Sequence, residues 1–230
     1  MKIGYALACV LLAVSGRGWG AEQVDGGSTR ATESRCGVLN VSVRSPDPLD
    51  AKVACQGARD AIGFLAAQGF DVAGDVTIEL VPKLPAVAGT SAAGCYIESE
   101  RRVLILNFSE FKKFKTWFSL PIDASLYRSL VSHEVAHAVG ACNFRVARPS
   151  IQAKEYIAYV TTLATMTSAQ RERVLSQYPG YGFEGDWQMS STIYLVDPMR
   201  FGAQAYRHFL KPGNGRDYLH AILTGRVMIE

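Results

Sequence analysis

Apolar and polar positions alternate in short runs through the first half of the chain and recur at helical spacing through the second. Gly37 to Val43 alternates as a strand, and Ser45-Pro46-Asp47-Pro48 follows it as a turn. From there Leu49, Val53, Ile62, Leu65 and Ala66 fall on one face of a helix that ends at Gln68-Gly69. Val76 to Val81 alternates again and stops at Pro82, while Cys95 to Ile97 and Val103 to Phe108 read as two strands joined by the charged turn Glu98 to Arg102. The remainder is helical: Asp123 to about Val139, Pro149 to about Met166, Ser168 to Gln177, Asp197 to about Leu210, and Asp217 to Leu223. Strands first and helices later predict an α+β fold, a small mixed sheet packed on helices.

The first residues do not fit that pattern. A short positive start, Met1-Lys2, is followed by the apolar run Ile3 to Val14 and small residues up to Gly18-Trp19-Gly20, which reads as a secretory signal peptide cut after Gly20. A cut after Gly16 and lipidation at Cys9 are the alternatives, the latter weakened by the poor match of Ala6-Leu7-Ala8 to a lipidation box. The run falls short of the roughly 20 apolar residues a membrane-spanning helix needs, so no integral membrane span is expected. Residues 21–230 then form one exported, secreted or periplasmic domain, with a core over about 37–166 and a helical part over about 167–230. Losing Cys9 leaves Cys36, Cys55, Cys95 and Cys142, an even set that suits two disulfides in an oxidising compartment; Cys36–Cys55 and Cys95–Cys142 are the expected pairs. With 24 basic and 21 acidic residues spread along the chain, there is no basic stripe, which argues against nucleic acid as a partner.

Chemistry concentrates in Ser132-His133-Glu134-Val135-Ala136-His137. Asp123 can cap the helix that carries it, with Leu126, Leu130, Val131, Val135, Ala138 and Val139 as its apolar faces. His133 and His137, one turn apart, then emerge on one side, where both imidazoles reach a single ion, while Glu134 projects about 100° around the axis. This is the H-E-x-x-H zinc pattern. A catalytic zinc takes a third protein ligand. Gly140 ends the first helix and Pro149 can begin the next, so an antiparallel pair would return Glu155, in Gln152-Ala-Lys-Glu-Tyr-Ile-Ala-Tyr159, to the histidines.

Over about residues 95–165 the chain resembles the gluzincin branch of zinc metallopeptidases, the thermolysin-like and minigluzincin group, on His133, Glu134, His137 and Glu155. The resemblance implies a zincin-type fold with an active-site helix and a glutamate helix, a Zn²⁺ cofactor, and hydrolysis of a peptide or protein substrate with Glu134 as general base. Two features depart from it. Tyr159 stands where many members carry an Asp that orients the first histidine, and its oxygen is the expected substitute unless another group serves. His137-Ala-Val-Gly140-Ala-Cys-Asn143 also approaches the metzincin pattern, with Asn143 in place of the third His. For the oxyanion, His208 and Tyr206 are the candidate catalytic helpers, with Tyr156 a further option. An edge strand at Val103 to Asn107 or Gly94 to Ile97 would pair with an extended peptide. The aromatic and basic stretch Glu110 to Phe118 reads as a lid or connector with buried aromatics and solvated lysines. Two other classes stay open: a catalytically inactive zincin-like protein that binds a peptide or envelope partner, and a disulfide-held structural protein.

Overall fold

In the computed structural model, residues 7–11, 31–38, 40–89 and 91–229 are described. β1 (Leu7–Leu11), β2 (Thr32–Arg35) and β3 (Val41–Ser45) precede the long helix α1 (Pro48–Ala67). β4 (Val76–Val81), β5 (Ala92–Ile97) and β6 (Arg102–Leu106) follow, then the one-turn α2 (Phe108–Phe111) and the small hairpin of β7 (Thr116–Trp117) and β8 (Leu120–Pro121). The rest is helical: α3 (Ala124–Asn143), α4 (Ile151–Thr165), α5 (Ser168–Gln177), α6 (Ser191–Val196), α7 (Pro198–Phe209) and α8 (Gly215–Leu223).

The class is α+β, and the sheet is mixed, in the order β1-β5-β6-β4-β3-β2. β3, β4 and β6 run parallel, and α1 makes the crossover that parallel β3 and β4 require. β5 returns antiparallel to β6, as the Glu98–Arg102 turn predicts. β4 buries every second residue, so its alternation is that of a strand with one covered face. Val103 to Leu106 of β6 are all buried, which is why that run shows no alternation. The strand expected over 37–43 is displaced: Gly37 takes a positive φ, and the extended backbone begins at Val41.

Asp47 accepts from Leu49 N and starts α1 with Pro48 in the first turn. Leu49 itself is 71% exposed, whereas the buried face is mostly small: Ala51, Ala54, Gly57, Ala58 and Ala61. That face lets α3 approach closely. A methyl on Gly57 would stand 2.4 Å from Arg128 O and 2.9 Å from Val131 Cβ, and Ser132 Oγ donates to Gly57 O at 2.9 Å. Asp123 caps α3 through Leu126 N, and from Leu126 to Gly140 all but Arg128 are buried, because α1, α4 and the sheet enclose the helix.

Cys36 and Cys55 form the expected disulfide, tying the end of β2 to α1. The second expected pairing is wrong. Cys95 and Cys142 are not joined: Cys95 lies buried in β5, and Cys142 faces solvent in the last turn of α3. Phe111, Trp117 and Phe118 are buried while Lys112, Lys113 and Lys115 are exposed, so Glu110 to Phe118 is a connector between sheet and α3. Most of the leader read over 1–20 lies outside the described residues; its Leu7–Leu11 segment is a strand parallel to β5, with Ala8 opposite Gly94. Among the described residues no helix is long and apolar enough to cross a membrane.

Candidate metal centre

α3 and α4 lie side by side, and their contact is where the polar groups gather. Ser150 caps α4 through Ala153 N, so the helix begins two residues later than Pro149 suggests, and Glu155 falls in its second turn. His133, His137 and Glu155 meet there, each with one ligand atom within 4.8 Å of the others. His133 Nε2 and His137 Nε2 are 3.2 Å apart. Glu155 Oε2 lies 3.5 Å from the first and Oε1 3.4 Å from the second. Donors held tetrahedrally about 2.05 Å from one ion are about 3.3 Å from each other. The triangle therefore already has the size an ion would impose.

Its surroundings set the protonation of the ligands. Thr162 Oγ1 donates to Ala158 O at 2.7 Å, which commits its proton, so it accepts from His133 Nδ1–H at 3.1 Å. That bond leaves the Nε2 lone pair of His133 facing Glu155 and His137. Thr162 thus takes the orienting role that Tyr159 was expected to fill. Tyr159 instead turns its ring edge to His133, centroids 4.7 Å apart, and is held by Phe118, Phe201 and a close approach of Gly202. His137 Nδ1 has no partner, and a cavity of about 10 Å³ lined by His137, Gly140 and Lys154 lies beside it. Burial, then the His133 and Lys154 charges, hold the His137 pKa well below its usual value.

Glu134 is completely buried, and neither of its oxygens, nor either of Glu155's, has a hydrogen-bond partner. Two unpartnered carboxylates in a protein interior are costly unless a cation joins them or a proton neutralises one. Burial first and Glu155 second push the Glu134 pKa well up. The strand β5 runs directly over it: a methyl on Gly94 would stand 2.6 Å from Glu134 Cδ. Only glycine at that place lets the sheet edge and the carboxylate share the space.

The expected helpers lie elsewhere. His208 accepts from the Tyr156 hydroxyl at 2.8 Å and packs on Tyr218, while Tyr206 stacks on Phe209 with the Arg171 guanidinium 5.8 Å over its ring. No contact among the described residues joins His208 or Tyr206 to the two histidines and Glu155. Tyr156 belongs to the same buried cluster as His208. Asn143 is also away from the centre: its side chain bonds Asp71 N, Asp71 O and Val139 O, so no ligand stands at the metzincin position. The residue that sequence reasoning missed is Tyr194. It sits on α6, a six-residue helix between turns with no long periodicity to announce it, and its hydroxyl reaches toward Glu155.

Residues 41–230 match a family of unknown function (DUF6639), and the chain belongs to that family. No curated protein and no solved structure matches it.

Proposed function

Since the family carries no assigned activity, we propose from the site itself that the chain is an exported zinc-dependent hydrolase acting on peptide bonds. The observation that carries the reading is the buried donor triangle of His133, His137 and Glu155, with Glu134 next in sequence to the first ligand and unbonded. Two imidazoles and one carboxylate suit zinc, and a site with three protein ligands keeps a fourth position open. Zinc bound there would polarise a carbonyl and make water acidic near neutral pH.

The chain's own residues supply the rest. Glu134 has no competing hydrogen bond, so its carboxylate is available to take a proton from the attacking water and return it to the departing amine. Thr162 keeps His133 in one tautomer. β5 passes over Glu134, and its outer edge is the edge paired with β1. If the leader is removed after Gly20, that edge is bared over the centre, where an extended peptide can add as a strand. Export rests on the leader, and the Cys36–Cys55 disulfide fits an oxidising compartment.

The test is metal analysis and peptide-library turnover of residues 21–230 beside Glu134→Gln and Glu155→Ala. Glu134→Gln is expected to keep about one zinc per chain and lose several orders of magnitude in kcat; Glu155→Ala is expected to lose zinc at limiting metal. Zinc retained without turnover in the wild-type chain would instead favour a peptide-binding protein.

A further inference from the structure

We infer that the Tyr194 hydroxyl is the hydrogen-bond donor to the oxyanion that forms when a substrate carbonyl is attacked at this centre. The inference rests on the hydrolase reading and gives it the one component that His208 and Tyr206 do not supply.

Tyr194 is 3% exposed, and its ring is fixed edge-on against Phe201 at 5.6 Å. Buried tyrosines ordinarily bond their hydroxyl to a fixed acceptor. Tyr127 does so with Leu106 O at 2.9 Å, and Tyr156 with His208 at 2.8 Å. Tyr194 does not. Its hydroxyl leans toward the Glu155 carboxylate, close enough to interact but too loosely placed to satisfy either Glu155 oxygen. The other groups that act on it are Tyr159 and Glu134, both at the same centre. A phenol held rigid on its ring side, aimed among the ligand and base carboxylates, and left without a firm acceptor is a donor placed for something that arrives later.

The position also divides the work across the cleft. Glu134 lies under β5 on one side. Tyr194 comes from α6, which packs on α4 and α7 on the other. A carbonyl lying between them would have the base on one face and a neutral O–H donor beside its oxygen. Neither His208 nor Tyr206 has any such contact.

The decisive variant is Tyr194→Phe, which keeps the ring on Phe201 and removes only the donor. Wild-type and variant chains are loaded with cobalt and titrated with acetohydroxamate, whose anionic oxygen stands in for the oxyanion, following the visible absorption band. The expected result is unchanged cobalt affinity with acetohydroxamate binding weaker by about 10- to 100-fold, the worth of one hydrogen bond to a charged group. With any peptide the wild type cleaves, kcat falls by about 10²- to 10³-fold at little changed KM. Equal acetohydroxamate affinity in the two proteins overturns the inference while leaving the metal centre intact. Weakened cobalt binding with normal acetohydroxamate affinity of the loaded protein also overturns it, because Tyr194 would then be positioning Glu155. A wild-type chain that takes up neither zinc nor cobalt removes the hydrolase reading itself.

Discussion

At the scale of single residues, the centre is defined by which polar atoms have partners. Thr162 shows the effect most directly: with its own proton on Ala158 O, it can only accept, and that alone decides which nitrogen of His133 is free. Thr162→Val preserves the shape and deletes the acceptor. Metal affinity is expected to fall about 10- to 100-fold with little change in fold, as for other groups that orient metal-binding histidines; competition titration against a calibrated chelator measures it, and an unchanged affinity would mean that packing of Tyr159 alone orients the ring. The signal in sequence was faint. Thr162 is seven residues beyond Glu155 and therefore on the same face of α4, but a threonine at that spacing is ordinary in a helix.

At the scale of elements, the site depends on how closely α1 lets α3 approach and on how α7 closes over α4. Gly57 has no room for a methyl between Arg128 O and Val131, both parts of a rigid helix. Gly57→Ala should cost about 1–3 kcal/mol and push α3 outward, lowering the melting temperature and the metal affinity together; a variant with wild-type values in both would show that the helices yield freely. On the other side, burial and then Lys211 hold the His208 pKa down to about 4. Tyr156 donates to the neutral ring, and protonation would replace an acceptor with a second donor. The sign follows from the folded value lying below the unfolded one. Near pH 7 both states are neutral; as pH falls below 6.5 the unfolded chain binds the proton first, and native stability declines until about pH 4, by up to about 3 kcal/mol. Urea unfolding at pH 7 and pH 4.5 should show a smaller acid loss in His208→Gln than in wild type. His208 was legible as a histidine on an amphipathic helix; that its partner is Tyr156 was not, because the pairing joins residues 52 apart.

At the scale of the whole molecule, the fold encloses Glu134 and Glu155, two carboxylates without hydrogen-bond partners, beside His133 and His137. A ligand that binds only the native arrangement stabilises it by mass action, about 4 kcal/mol at a thousandfold excess over its dissociation constant. The melting temperature of residues 21–230 is therefore expected to rise on adding zinc and to fall with a chelator, and not to respond in a His137→Ala variant. Indifference of the wild-type chain to zinc, cobalt and manganese alike would contradict a metal centre. The disulfide adds an independent constraint: opening the loop between Cys36 and Cys55 should cost about 3 kcal/mol.

What the sequence determined by itself is local. The spacing of His133 and His137 is one helical turn, Asp123 caps that helix, the alternation of Val76 to Val81 makes a half-covered strand, and the turn at Glu98 to Arg102 makes an antiparallel pair. Each follows from contacts between residues a few positions apart, so each could be read in order along the chain. Only the tertiary structure decided the rest. It kept Cys95 and Cys142 apart by turning one inward and the other to solvent, and it laid β5 over Glu134 through the missing side chain of Gly94. It sent His208 to Tyr156, and it brought Tyr194, 39 positions beyond Glu155 on a helix too short to show periodicity, to the edge of the centre. Those outcomes depend on how close whole elements pack, which no short window of residues encodes.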